Sequence, residues 1–223
     1  LVVFQFAISL VLIVSMIVIY QQVSFVQSRN LGYDRDHLVY FDKEGTLTQN
    51  QDAFLAALRK VPGVVSAADM EQNIVGDDLG SSTYGISWPD KPEGLNVDFG
   101  VRALDYGVLQ TMGIRLKEGR DFSPAYGVDS TKLLCNETAV RVMGLKDPIG
   151  ATIRMWNRDM TIIGVMKDFH VTSLHEPILP MVFYFNPSHT STIIARLGPG
   201  REQQTLSRIA ALYKQYNPGF VFE

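Results

Sequence analysis

The sequence predicts an α+β protein: an N-terminal transmembrane and stalk helix, then a domain of two β-α-β halves with an inserted, mostly-β subdomain. Three observations carry this. None of the 20 basic and 23 acidic residues precedes Arg29, so a charge-free apolar segment stands before a chain of ordinary polarity. A strand, an apolar-striped helix, a Pro-Gly pair and another apolar run occur twice, around Val61-Pro62-Gly63-Val64-Val65 and around Asn217-Pro218-Gly219-Phe220-Val221. Between the two repeats, from about Ile74 to Asn186, short strands dominate. The expected division is 1–28 for the membrane helix and stalk, 29–75 and 189–223 for the two halves, and 76–188 for the inserted subdomain.

The opening segment, Leu1 to Tyr20, has only Gln5, Ser9 and Ser15 as clearly polar residues. At 1.5 Å per residue, about 20 helical residues match the ~30 Å hydrocarbon core of a bilayer. A signal peptide would show a basic start and a small-residue cleavage site, and neither is present. The chain starts at Leu and reads as a piece of a longer protein, without the flank that would set its orientation. After Tyr20 the residues turn polar with no helix breaker, so the helix should continue as a stalk until Asn30-Leu31-Gly32.

A strand is expected at His37–Phe41, then a helix opened by a capping box, Thr48 with Gln51, and striped by Ala53, Phe54, Ala57, Leu58 and Val61. Pro62-Gly63 ends it before a strand at Val64–Ala68. In the middle, Asn96–Ala103 alternates as a strand; one short helix is capped by Asp105 and stopped by Gly113, a second by Asn136 and Gly144. Ala151–Trp156 and Met160–Met166 form a hairpin around Asn157-Arg158-Asp159, and Leu179–Phe185 is a further strand. Thr192–Leu197 is a strand; Leu206, Ile209, Ala210 and Tyr213 stripe the last helix, and Phe220–Phe222 begins a final strand.

Composition narrows the chemistry. A net charge of −3 argues against a nucleic-acid binder, and the single Cys135 excludes internal disulfides and multi-cysteine zinc sites. No phosphate-binding glycine loop, HExxH or nucleophile elbow occurs, so neither an ATPase nor a hydrolase is indicated. Asp168, His170, His175, Glu176 and His189 are the densest candidate metal ligands, but they lack helical pairing and read as turn-capping residues. Arg115, Lys117 and Arg120, with Arg102 and Arg141, read as a solvated face. The aromatic residues Trp88, Phe99, Trp156, Phe169, Phe183 and Phe185 read as core. No cofactor, metal or catalytic set is expected.

Several stretches, in order, resemble the MacB-like periplasmic core domain family. Gly113–Phe122 resembles its "lG-x-x-l-x-x-GR-x-F" stretch. Asn136-Glu137-Thr138-Ala139, Gly144 and Asp147-Pro148-Ile149-Gly150 resemble its "NE-x-A…G…dPiG" block, and Ile162–His170 its "iiGVvkDfh" strand and turn. Val3–Ser9 is similar to the "vvfQFtiS" opening helix of Bacteroidetes-type members. The resemblance implies a non-enzymatic, porter-like periplasmic domain of an FtsX/MacB-type ABC transporter permease in a bacterial inner membrane, with residues after about 28 in the periplasm. It implies a cytoplasmic ABC ATPase partner, a permease homodimer or pseudo-dimer, a periplasmic adaptor or substrate protein, and export of peptide, drug or lipoprotein. The family-motif residues Gly119, Arg120, Phe122, Asn136, Glu137, Gly144, Pro148, Gly150, Gly164, Asp168 and Phe169 are expected to serve structure. The alternative is a membrane-anchored periplasmic ligand-sensor domain.

Overall fold

A helix, α1, runs through Val2–Ser28 without a charged residue. Its Val2–Ser24 portion is long and apolar enough to cross a membrane. The computed structural model describes residues 2–28, 31–72, 81–170 and 176–222; Asn30, residues 73–80 and His175 lie outside it. Two compact units divide the chain, 1–31 and 32–223.

The second unit is built on a mixed sheet. Its strands are β1 (Leu38–Asp42), β2 (Val64–Met70), β3 (Ser82–Thr83), β4 (Ile86–Ser87), β5 (Phe99–Leu104), β6 (Leu116–Gly119), β7 (Lys132–Asn136), β8 (Thr152–Met155), β9 (Arg158–Met166), β10 (Met181–Phe185) and β11 (Thr192–Leu197). They lie in the order β1-β11-β2-β5-β10-β7-β9-β8-β4, with β3 on β5 and β6 on β9. The pairs β10–β5 and β7–β9 are parallel and the rest antiparallel. The join between β2 and β5 rests on one register pair, Met70 with Leu104.

Among the described residues, four helices pack on this sheet: α2 (Gln51–Leu58), α3 (Val108–Met112), α4 (Glu137–Met143) and α5 (Glu202–Tyr216). Phe54, Leu55 and Leu58 of α2 and Ile209 and Tyr213 of α5 cover Phe41, Ala67, Ile193 and Ala195 on one face. Val108, Leu109 and Met112 of α3 cover Ala68 and Ile194 on the other. Burial on both faces explains why β11 reads as a nearly unbroken apolar run. A third core packs Ala139 and Met143 of α4 against Val101, Leu133, Ile153 and Ile162.

Several expectations need correction. Thr48 closes a 3-10 turn, Gly45–Thr48, and its hydroxyl donates back to the Gly45 carbonyl at 2.8 Å, so the capping box does not form. Asn50 occupies the N-cap of α2. Gly107, at φ +82°, caps α3, because the Asp105 carboxylate is taken by the Tyr106 N–H at 2.7 Å. The β8–β9 turn is Trp156-Asn157, one residue earlier than expected. Phe220–Phe222 forms no strand; the Phe222 ring packs on Phe41 and Tyr213, with centroids 5.1 and 5.5 Å apart.

Candidate functional site

The motif residues, spread over 51 sequence positions, are drawn to one region where β6, β7, β9 and α4 meet. Gly119 ends β6 at φ +78°, and a Cβ there would collide with the Ile163 carbonyl of β9. Gly164 needs room instead: a Cβ would strike the Arg120 carbonyl and lie 2.9 Å from Leu134 Cδ2. The Pro148–Gly150 turn lies along the same strand, with the Gly150 N–H donating to the Ile162 carbonyl at 2.8 Å.

Asn136 caps α4 from the end of β7. Its Oδ1 accepts the Ala139 and Met181 N–H groups, both at 2.9 Å, and its Nδ2 donates to the Leu179 carbonyl at 2.8 Å. The residue is 1% exposed. Gly144 ends α4 at φ +68°. Glu137 and Asp168 exchange bonds: Glu137 Oε2 accepts the Asp168 N–H at 3.2 Å, while Asp168 accepts the Thr138 N–H at 2.9 Å and its hydroxyl at 2.8 Å. The hydrogen bond from Lys117, at 2.9 Å, holds the Glu137 carboxyl below the usual range.

Arg120 and Asp129 form a second knot. The guanidinium forks onto both carboxylate oxygens at 2.8 and 3.2 Å, bonds the Asp121 carbonyl, and lies 4.2 Å from the Tyr126 ring centroid. Burial works to raise the Asp129 pKa, but Arg120 and the Ser123 N–H outweigh it and hold it low. Phe122 and Phe169 are buried and face Phe185 and Phe183, at 5.7 and 6.2 Å. These are hydrogen-bond and packing partners.

The remaining sequence candidates are dispersed. Asp168 is engaged by Thr138, and His189 stands 3.5 Å from Glu71, just past the end of β2. Arg102 is fully buried rather than solvated, and Trp156 is 50% exposed rather than core.

Sequence reasoning missed a clamp on the segment that leads from α1 into the domain. Arg196 of β11, its side chain 15% exposed, donates Nη1 to Asp34 Oδ2 (3.0 Å) and the Asp36 carbonyl (2.8 Å). It also donates Nη2 to the Asp34 carbonyl (2.7 Å) and Nε to the Thr111 carbonyl (2.9 Å). The Asp34 N–H adds a bond to the Met112 carbonyl at 2.9 Å. Two residues earlier, Gly32, at φ +86°, sits so close to Asp168 and Phe169 that a Cβ would lie 2.6 Å from the Asp168 carbonyl oxygen. The lead-in is thus gripped by β11 and α3 on one side and by the Asp168-Phe169 turn on the other. The signal in the sequence was a lone arginine inside the apolar run Thr192–Leu197.

A buried ion pair was missed too. Lys43 Nζ, after β1, bonds Asp69 (3.0 Å), Thr190 (2.6 Å) and Gln51 (2.8 Å). Burial pushes the Asp69 carboxyl up to about 6 despite the lysine beside it.

The chain matches the MacB-like periplasmic core domain over residues 1–212. No curated protein matches it. Among solved structures, the periplasmic region of MacB from Actinobacillus actinomycetemcomitans is similar with a TM-score of 0.56 at 14% identity, over 82% of this chain and 85% of that one. The extracellular domain of the noncanonic ABC-type transporter YknZ from Gram-positive bacteria is similar with a TM-score of 0.53 at 14% identity, over 80% and 91%. At that identity the likeness concerns the fold, a mixed sheet with packed helices. With the motif residues gathered at one junction and the match running through both the apolar helix and the sheet, this chain belongs to the MacB-like periplasmic core domain family.

Proposed function

We propose that this periplasmic domain of a MacB-like ABC transporter permease receives motion from its membrane helix and passes it to periplasmic partners. A cytoplasmic ABC ATPase supplies the motion, the permease works as a homodimer or pseudo-dimer, and the coupled event is export of a peptide, drug or lipoprotein, with or without an adaptor protein. Helix α1 anchors the chain in the inner membrane. Residues 29–75 and 189–223 form a porter-like part and 76–188 an inserted part, and the motif residues hold the junction rigid rather than perform chemistry.

One observation supports this reading above the others: the lead-in at 32–36 is held by Arg196 and by the Asp168-Phe169 turn. A loose lead-in would absorb displacement, whereas residues 34–36, bonded to β11 and α3, carry any displacement they receive into the sheet.

The test uses the whole permease with its ATPase in nanodiscs and spin labels at Val128→Cys, an exposed site. ATP with vanadate should shift the interprotomer distance, and Arg196→Gln should abolish the shift while ATP hydrolysis continues. A label distance indifferent to nucleotide in the unmodified permease, or a shift that survives Arg196→Gln, would refute the coupling role.

A further inference from the structure

We infer that the groove between the β8–β9 turn and the C-terminal end of β10 binds a small amphipathic anion, an aromatic or apolar body carrying one carboxylate or sulfonate. This is independent of the coupling reading.

The first observation is the position of Trp156. The two-residue turn joining β8 to β9 places Trp156 at φ +48° and Asn157 at φ +63°. Turns with both central residues in the left-handed region favour Asn and Gly, and a bulky aromatic residue is uncommon there. Backbone strain of this kind is concentrated at ligand-binding sites, where the surroundings hold it. Trp156 gains little burial in return: it is 50% exposed, whereas Trp88 is 6% exposed. Its ring stands edge-on to Tyr184, with centroids 5.3 Å apart and an interplanar angle of 89°.

The second observation is the groove itself, about 530 Å³, lined by Trp156, Tyr184, Met160, Arg158, Asn186 and His189 among others. That volume is in the range of small-ligand sites. Apolar and aromatic side chains supply most of the wall, and a few polar groups are available to orient a ligand.

The third observation is charge. In the β8–β9 hairpin, Arg154 stands opposite Asp159 and Met155 opposite Arg158. Side chains alternate between faces, so the Arg154–Asp159 ion pair, at 3.2 Å, lies on the face away from Met155, Arg158 and Met160. Arg158 lies on the groove face, and among the described residues no ion pair includes it. At the His189 end, Glu71 is engaged by the Ala103 N–H at 2.7 Å and faces His189 at 3.5 Å. Burial, reinforced by Glu71, pushes the Tyr184 phenol up to about 12, so it stays neutral. An anion gains the Arg158 charge and the aromatic wall together, a cation is repelled at Arg158, and a wholly apolar ligand leaves the guanidinium unused.

The experiment uses the full chain in lipid nanodiscs and 2-naphthoate as the probe, measured by equilibrium dialysis against empty nanodiscs. The positively charged 2-naphthylmethylammonium serves as control. One saturable equivalent of naphthoate per chain is expected, with weak or no saturable binding of the cation. Arg158→Gln should weaken binding about three- to five-fold, as loss of an exposed charge pair does. Arg154→Gln, on the opposite face, should leave it unchanged. Trp156→Asn should weaken binding about ten-fold or more, as removal of an aromatic anchor does, yet raise the melting temperature because Asn suits the turn. No saturable binding, equal binding of the cation, or wild-type binding by Arg158→Gln and Trp156→Asn would overturn the inference.

Discussion

Replacing Gly119, Gly164 and Gly144 by alanine, one at a time, should destabilise the domain by decreasing amounts in that order. Gly144 has φ +68° and open space where a Cβ would go, so Gly144→Ala incurs only the left-handed backbone cost, about 1 kcal/mol. Gly164 lies outside the left-handed region, but its Cβ would strike the Arg120 carbonyl and approach Leu134 Cδ2 to 2.9 Å. Relief requires β6 and β9 to part, which disturbs the bond from the Arg120 N–H to the Ile163 carbonyl at 2.9 Å; overpacking of this kind costs about 1–3 kcal/mol. Gly119 combines φ +78° with a clash against the Ile163 carbonyl and an approach of 2.7 Å to Ile149 Cδ1. The two costs together come to about 2–4 kcal/mol. For a domain of this size each kcal/mol lowers the melting temperature by about 2–4 °C, so about 4–16 °C is expected for Gly119→Ala and about 2–4 °C for Gly144→Ala. Urea unfolding followed by far-ultraviolet circular dichroism, at an unchanged m-value, measures the differences. If Gly144→Ala costs as much as Gly119→Ala, or Gly119→Ala is nearly silent, close strand approach is not what Gly119 provides.

Asn136→Ala should cost about 2–4 kcal/mol, because it removes a helix cap and leaves the Met181 N–H and the Leu179 carbonyl unpaired in a buried place; Asn136→Asp, which keeps the acceptor, should cost less. Equal unfolding midpoints for Asn136→Ala and the unmodified protein would sink that assignment. Asp121 makes a pH-dependent prediction, since burial pushes its carboxyl up to about 6 while its oxygen accepts the Phe122 N–H at 2.7 Å. A folded-state pKa above the unfolded one means a contribution complete below about pH 4 and lost as pH rises through about 6. Asp121→Asn keeps the acceptor and avoids the ionisation, so it should stabilise the protein by about 2–3 kcal/mol at pH 8 and little at pH 4. The same stability difference at both pH values would contradict the burial argument.

Local signals were sufficient where a segment's neighbours in the chain determine its state. Thr192–Leu197 is a strand over the residues expected, and α4 runs from its Asn136 cap to Gly144 as the cap and left-handed stop require. Local signals failed where a competing bond within the same turn, or packing from a distant segment, claimed the residue instead. Thr48 back-bonds within its own turn instead of capping α2, and Asp105 serves the Tyr106 N–H while Gly107 takes the cap. Phe220–Phe222 has the composition of a strand, but ring packing on Phe41 and Tyr213 holds Phe222 with no ladder formed.

The junction was legible as a set of motif residues and illegible as a place. Nothing in the spacing of Glu137 and Asp168, 31 positions apart, announces that each accepts a backbone N–H at the other's end. Burial of charge was equally hidden: Arg102, Lys43 and Asp69 look like surface residues, and their burial depends on partners far along the chain.

By itself the sequence determined the opening helix, because an apolar, charge-free run can satisfy its backbone in a bilayer only within a helix. It determined too the presence of strands and helices, through periodicity and caps that act over three or four residues. Only the tertiary structure decided what Arg196 does. Its four hydrogen bonds reach Asp34, Asp36 and Thr111, residues brought beside β11 by the folding of distant segments. A guanidinium's partners are set by that three-dimensional closure, and chain order does not encode it locally.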